Sequence, residues 1–271
     1  MKTIITASLT GAISPKEKNS AIPCTPKEIA EDAVRVWKEG ASVVHLHMRD
    51  EKNQGSMDHA RFRETVQRIR DNTDIVINLT TSGKVGVTDD ERIGHVIELK
   101  PELATFDAGS INFLPDGIFD NTAGFLSKIG KIMIENGVKP EVEIMDVGML
   151  YAVEYYKAKG ILLDPVHYQF VMGFFSGIAP TPENLLFMLD KIPEGSTWSA
   201  FGIGTGHMPI LYTAIAKGGH VRVGLEDNIY YAKGQLATNS MLVARAARAI
   251  REFGNEVATP EEARKILGVN K

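Results

Sequence analysis

At 271 residues, 44% hydrophobic and 24% charged, the chain can form one large core or two small ones, and its net charge of -4 at pH 7 argues against a nucleic acid partner. The single cysteine, Cys24, excludes an internal disulfide framework and is typical of a reducing compartment. No stretch approaches the roughly 20 apolar residues of a membrane span and no signal-peptide pattern is seen, so we expect a cytoplasmic protein without a membrane partner.

Short apolar runs typical of β-strands recur along the whole chain. They begin near Ile4, Val43, Ile75, Leu103, Val142, Tyr168, Thr197 and Val221. All except the fifth and sixth are clearly followed by a polar turn and a segment of helical period. Such an alternation within about 250 residues is what a (β/α)₈ barrel requires, whereas a doubly wound sheet uses fewer strands and a glycine-rich first turn.

Helix boundaries are marked between the runs. Helical starts with a threonine N-cap are predicted at Thr25, Thr88 and Thr181, and stops at Gly40, Gly137 and Gly160. An extra C-terminal helix opens at Thr259 within the segment 258–271. Because no linker or composition break interrupts the chain, we predict one domain, residues 1–271, folded as an α/β (β/α)₈ TIM barrel with an added C-terminal helix.

Polar residues gather where the predicted strands end. They lie at residues 8–11, 45–50, 78–83, 105–110, 143–146, 199–204 and 226–228. Active sites of (β/α)₈ barrels form at the C-terminal ends of the strands. This distribution therefore predicts an enzyme site at that face.

The second run ends in two histidines, His45 and His47. Strand side chains alternate with period two, so both imidazoles point the same way. Glu226 takes an inward position at the end of the eighth run and, in a closed barrel, completes a His, His, Glu set suited to Zn²⁺ with an open coordination position. The alternative is that both histidines only form hydrogen bonds at the barrel mouth.

A charged pair follows in the same run. Arg222 lies on the same inward face as Glu226, where an unpaired guanidinium would be costly to bury, so it needs a carboxylate. Asp227 is the candidate. By alternation it faces away from the barrel axis unless the strand has ended, which Gly224 and Asn228 favour.

Four segments resemble the β-keto acid cleavage enzyme family, whose best-known activity is 3-keto-5-aminohexanoate cleavage. They are 218–228 (GGHVRVGLEDN), 45–50 (HLHMRD), 10–12 (TGA) and 109–113 (GSINF). The likeness covers essentially the whole chain, and segment 218–228 is its most specific part. It implies a Zn²⁺-dependent (β/α)₈ barrel that reacts a β-keto acid with acetyl-CoA to give acetoacetate and a new acyl-CoA, in a homo-oligomer that we expect to be a tetramer.

The resemblance also assigns roles to residues. The family's metal ligands fall on His45, His47 and Glu226, the same three that the spacing indicates. The family's base, a carboxylate working with an arginine, falls on Asp227, which Arg222 would hold ionised.

Substrate contacts carry over less uniformly. The family's substrate-holding serine falls on Ser82, and Thr105 and Asp107 match the substrate-contacting end of the fourth strand loosely. Ile13 stands where the best-known member has a glutamate suited to a substrate ammonium group. Groups that could replace the missing charge are Asp107, Ser14 and Glu17. We therefore expect an uncharged or apolar substrate side chain.

A second departure lies in the loop 202–207, where Thr205 replaces the arginine expected after the second glycine, so a plain tight turn is the alternative to a CoA- or carboxylate-binding loop.

Three functions remain open. The first is the acyl-exchanging cleavage enzyme, the second a metal-dependent aldolase or hydrolase on the same barrel, and the third a metal-assisted metabolite-binding protein without turnover. The pair of Arg222 and Asp227 favours the enzymes over the binding protein.

Overall fold

The computed structural model describes residues 1–84, 86–113, 117–174 and 176–270. Its centre is a closed barrel of parallel strands in chain order. They are β1 (Ile5–Ser8), β2 (Val43–Leu46), β3 (Val76–Leu79), β4 (Leu103–Asp107), β5 (Lys139–Ile144), β6 (His167–Met172), β7 (Thr197–Gly202) and β8 (His220–Val223). The last strand pairs with the first, with Val221 opposite Ile5, which closes the barrel.

Helices surround the barrel. They are α1 (Pro26–Glu39), α2 (His59–Arg70), α3 (Asp89–Leu99), α4 (Ala123–Asn136), α5 (Val147–Ala158), α6 (Pro182–Leu189), α7 (His207–Ala216), α8 (Asn239–Glu252) and α9 (Pro260–Leu267). The predicted (β/α)₈ barrel is thus confirmed, and helices also follow its fifth and sixth strands. Among the described residues, no helix is long and apolar enough to span a bilayer.

Helix ends follow the local signals of the sequence. Thr25 accepts the N–H of Glu28, whose side chain in turn accepts the backbone N–H of Thr25, so the first helix begins with a capping box. Gly40 and Gly137 end their helices in the left-handed conformation, which costs glycine little. The fifth strand begins at Lys139, before the start predicted near Val142, because the prediction followed the apolar run and the strand opens with the charged Lys139 and Glu141.

The C-terminal helix α9 covers the N-terminal ends of the strands. Ala263 and Leu267 of α9 pack in a small apolar cluster with the first residues of several strands. The strand residues and their neighbours in this cluster are Ile4, Val43, Val76, Leu103 and Ala258. The predicted helix at 258–271 is confirmed over Pro260–Leu267, and Lys271 lies outside the described residues. The N-terminal end of the barrel is therefore closed by α9, and a reaction site can form only at the C-terminal end.

Candidate metal and catalytic site

His45 lies in β2 and His47 follows the end of that strand. Both are buried, and their rings meet edge to face with centroids 5.0 Å apart. The shared orientation is what strand alternation predicts for residues two apart. The C-terminal end of β2 therefore presents two imidazoles to the barrel mouth.

Glu226 reaches these imidazoles from beyond the end of β8. Its Oε1 lies 3.6 Å from Nε2 of His45 and 3.4 Å from Nε2 of His47. One ligand atom from each of the three residues lies within 4.8 Å of the others. The structure thus brings together the three residues that the sequence analysis selected as metal ligands.

Two glycines make room for this carboxylate. A Cβ at Gly224 would stand 1.9 Å from the backbone oxygen of Ser8, so only glycine allows β8 to leave the barrel here. Gly11 has a φ of +59°, and a Cβ there would lie 2.5 Å from Cγ of Glu226. Any larger residue at either position would displace the end of β8 or the Glu226 side chain.

The three residues fit a divalent metal ion. Nε2 of both histidines faces the carboxylate of Glu226, whose Oε2 is buried without a hydrogen-bond partner among the described residues. Such a buried oxygen is rare in folded proteins and calls for an explanation such as a bound ion. Imidazole and carboxylate donors suit Zn²⁺, and three protein ligands leave a position for substrate.

The ionisation of the ligands also fits a cation. Burial lowers the pKa of His45 well below its usual value, which keeps the imidazole neutral and its lone pair free. Burial alone would raise the pKa of Glu226, but its interactions with His47, with the guanidinium of Arg222 and with His45 outweigh burial and bring this pKa well below the usual range. Glu226 is therefore a carboxylate.

Arg222 joins three carboxylates beside the cluster. Its Nε and Nη2 donate to the two oxygens of Asp227, both at 3.0 Å. Nη2 also donates to Oε1 of Glu226 at 2.7 Å, and Nη1 to Oε1 of Glu143 at 3.2 Å. The guanidinium lies 4.4 Å from the ring centroid of Phe201. This fork holds its carboxylate partners at fixed angles to one another.

Asp227 faces the site because β8 has already ended at Val223. Its Oδ2 also accepts a hydrogen bond of 2.6 Å from the hydroxyl of Ser8. Burial raises the pKa of Asp227, and the lowering effect of Arg222 does not reverse this. The sequence indicated only the effect of the arginine; the structure adds the cost of burial, which makes Asp227 a stronger base than an exposed aspartate.

Glu143 is a site residue that the sequence analysis did not select. It lies in β5 opposite Asp107 of β4, and its pKa is raised well above the usual value by burial and then by the negative charge of Asp107. Oδ2 of Asp107 is buried without a partner among the described residues. The gathering of polar residues at strand ends already included Glu143 and could have singled it out.

The remaining predicted residues lie on the same face of the barrel. Ser82 follows β3, and its hydroxyl is 3.5 Å from that of Thr80. The hydroxyl of Thr105 in β4 is buried and accepts the backbone N–H of Thr81 at 3.0 Å, so this hydrogen bond already engages it. Ile13 is 58% exposed in the loop between β1 and α1.

The loop 202–207 forms a single 3-10 turn at Gly204–Gly206 before α7. Asn228 fixes it, because its side chain donates to the carbonyl of Gly202 at 2.9 Å and accepts the N–H of Gly204 at 2.7 Å. The turn is thereby tied to the segment that carries Glu226 and Asp227.

Comparison with known proteins identifies the sequence family. Residues 2–269 match the model of the beta-keto acid cleavage enzyme family. The chain is 46% identical to the 3-keto-5-aminohexanoate cleavage enzyme of Fusobacterium nucleatum over 100% of this chain and 99% of that protein. It is 38% identical to the 3-dehydrocarnitine:acetyl-CoA trimethylamine transferase of Rhizobium meliloti over 98% of this chain and 96% of that protein.

Solved structures agree on the fold. A ternary complex of ObcA with a C4-CoA adduct and oxalate superposes with a TM-score of 0.83 at 19% sequence identity. The match covers 92% of this chain and 67% of that one. At this identity the likeness supports the barrel architecture alone.

Proposed function

The chain belongs to the β-keto acid cleavage enzyme family, and we propose from this premise that it is a Zn²⁺-dependent enzyme that exchanges acyl groups between a β-keto acid and acetyl-CoA. The products are acetoacetate and a new acyl-CoA. His45, His47 and Glu226 form the candidate metal cluster. The observation that carries the proposal is that the guanidinium of Arg222 donates hydrogen bonds both to Glu226 of this cluster and to Asp227.

His45, His47 and Glu226 would hold the metal ion. A divalent ion bound there supplies Lewis-acid stabilisation of the negative charge that develops on a substrate oxygen. Ser82, which follows β3, holds the substrate in this proposal, and Thr105 and Asp107 of β4 contribute to the same side of the site.

Asp227 is the base. It takes a proton from C2 of the β-keto acid, while Arg222 and the hydroxyl of Ser8 keep its two oxygens oriented. Its raised pKa makes Asp227 a stronger base, and the positive charge of Arg222 offsets the negative charge of the neighbouring Glu226. Glu143 fixes the far side of the guanidinium.

The exchange then balances without an oxidant or reductant. The C2 carbanion attacks the thioester carbonyl of acetyl-CoA, forming a C–C bond and releasing CoA thiolate. The thiolate attacks the C3 carbonyl, the original C2–C3 bond breaks, and the acetoacetate carbanion takes the proton back from Asp227. The remaining acyl group leaves as its CoA thioester.

We propose an uncharged or apolar side chain for the β-keto acid. Ile13 is exposed and lies two residues after Gly11, which packs against Glu226, so an apolar group replaces a possible carboxylate at this edge of the site. Asp107, a carboxylate considered as a replacement, is 2% exposed and faces Glu143.

A substrate panel tests the proposal. Purified protein with Zn²⁺ and acetyl-CoA is given straight-chain, dicarboxylic, amino and trimethylammonium β-keto acids, and acetoacetate and acyl-CoA are measured by mass spectrometry. We expect turnover with uncharged chains, and strict dependence on acetyl-CoA separates acyl exchange from aldolase or hydrolase chemistry. Turnover of cationic substrates alone would contradict the side-chain assignment, and ligand binding without any acyl exchange would contradict the function.

One substitution isolates the side-chain assignment. Ile13→Glu should raise kcat/KM for the amino substrate relative to the uncharged one, because it adds a carboxylate at this edge. Ile97→Glu, at an exposed isoleucine of α3, is the matched control and should leave the ratio unchanged. The oligomer, expected as a tetramer, and the cytoplasmic location remain part of the proposal.

A further inference from the structure

A buried amide lies next to the metal cluster in the barrel interior. Asn78 of β3 is paired in register with His45 of β2, and it is fully buried. Glu141 of β5 is equally buried, and only β4 separates its strand from β3. Nδ2 of Asn78 donates to Oε1 of Glu141 at 2.6 Å, so the two side chains connect inside the barrel over β4.

This hydrogen bond fixes the direction of the Asn78 amide. The NH₂ end of the amide meets Glu141, so Oδ1 is the end left for other groups. Among the described residues, Oδ1 of Asn78 has no hydrogen-bond partner although it is buried. An acceptor is therefore available in the layer beneath the site.

His45 has the complementary need. Its Nε2 faces Glu226 at 3.6 Å, and its Nδ1 is buried without a partner among the described residues. If Nε2 offers its lone pair to a metal ion, the proton of the neutral imidazole must be on Nδ1 and needs an acceptor. His45 and Asn78 are register partners on neighbouring parallel strands, so their side chains lie side by side on the same face of the barrel wall.

We propose that Asn78 is a positioning residue for His45, accepting its Nδ1 proton through Oδ1 while Glu141 holds the amide in that orientation. The inference rests on the metal site of the proposed function. It concerns two residues outside the candidate ligand set, and it gives a role to the acidic group buried in the barrel interior.

Zinc affinity in the absence of substrate is the measurement. A chromophoric chelator competes for Zn²⁺ with wild type, Asn78→Leu and Gln169→Leu. Gln169 is a fully buried amide of β6 that bonds Ser199 instead of the metal cluster, so its replacement is the matched control. We expect Asn78→Leu to weaken zinc binding about 10- to 100-fold, as the loss of a group that orients a ligand does, and the control to stay within about twofold.

A charge-conserving exchange provides an independent test. Asn78→Asp alone sets two carboxylates against each other and should weaken zinc binding. Adding Glu141→Gln restores one donor and one acceptor with the direction reversed, while the carboxylate introduced by Asn78→Asp still offers an oxygen to Nδ1 of His45. The double variant should bind zinc within about threefold of wild type and give the wild-type visible spectrum with Co²⁺.

The outcomes separate this inference from the proposed function. Wild-type protein that fails to bind zinc would overturn both. Zinc bound by wild type and equally well by Asn78→Leu would overturn only the role of Asn78. If Asn78→Leu does not fold, the comparison of Asn78→Asp with the double variant decides, and equal affinities of those two would overturn the inference.

Discussion

The two ends of the barrel differ in the groups that they bury. At the C-terminal ends of the strands, one buried cation, Arg222, contacts three carboxylates, and several polar atoms there have no partner among the described residues. At the N-terminal ends, apolar side chains meet α9. Buried polar groups without partners cost stability, so the first end is organised for chemistry at the expense of folding free energy.

The closed end offsets part of that cost. Leu267 of α9 is 1% exposed among strand residues, and Arg264 of α9 forms a 2.7 Å ion pair with Glu102. Oε2 of Glu102 also accepts the backbone N–H of Ile77 at 3.2 Å. Both oxygens of Glu102 therefore have partners, and Nε of Arg264 is the atom of this group that is buried without one among the described residues. In this fold, substitutions at the C-terminal ends of the strands, the open end, should therefore change turnover. Substitutions at the end covered by α9, the closed end, should change stability.

The strongest change should come from the open end. Asp227→Asn and Glu226→Gln should each lower kcat by about 10²- to 10⁴-fold, because one removes the base and the other a metal ligand. Zinc content, measured by inductively coupled plasma mass spectrometry, separates them. Asp227→Asn should keep its zinc and Glu226→Gln should lose it; equal zinc loss in both would contradict this division of roles.

The sequence was sufficient for the barrel and for the grouping of the three candidate ligands. His45 and His47 share a face by strand period alone, and parallel strands that end at one rim bring Glu226 to them. Contacts that depend on the closed barrel were not accessible. Asn78 and Glu141 are 63 residues apart, and their hydrogen bond exists only because β3 and β5 enclose the same interior.

The direction of Asp227 was also undetermined by the sequence. Strand alternation pointed it outwards, and only the end of β8 at Val223 turns it towards Arg222. The sign of its pKa shift depended on burial, which no local pattern reports. Whether Ser82 and Thr105 contact substrate, and whether residues 1–271 act as one domain, remain predictions.

A second substitution tests the closed end. Leu267→Ala should lower the free energy of unfolding by about 2–5 kcal/mol, the usual cost of truncating a buried leucine. Leu163→Ala, at a leucine that is 60% exposed, is the matched control and should cost about 0.5 kcal/mol or less. Urea denaturation measures both. At temperatures where Leu267→Ala is folded, its kcat should equal that of wild type; a large loss of kcat would contradict the separation of the two ends.

A third prediction concerns how the free energy of unfolding depends on pH through a buried histidine in the helical layer around the barrel. His95 of α3 is fully buried, stacks on Phe62 with centroids 4.1 Å apart, and burial lowers its pKa to about 4. Between pH 4 and the unfolded value of 6.5 the unfolded chain binds the extra proton, so the free energy of unfolding rises with pH across this window.

The slope identifies the contribution of this histidine. The slope of the free energy of unfolding against pH should be steeper in wild type than in His95→Phe by up to about 1.4 kcal/mol per pH unit, because phenylalanine cannot bind a proton. Urea denaturation at several pH values measures this difference. Equal slopes would show that His95 does not remain neutral in the folded protein, whatever the absolute stabilities of the two proteins.

The mildest change should come from the start of the helix that closes the barrel. Thr259 accepts the N–H of Glu262, and Glu262 accepts the backbone N–H of Thr259 at 2.9 Å, so Thr259→Ala removes half of a capping box. The cost should be about 0.5–2 kcal/mol, seen as a fall in Tm of a few degrees with unchanged kcat. Thr259→Ser keeps the hydroxyl and should retain most of the stability. A loss as large in the serine variant as in the alanine variant would mean that the threonine methyl group, and not the cap, holds α9 against the strands.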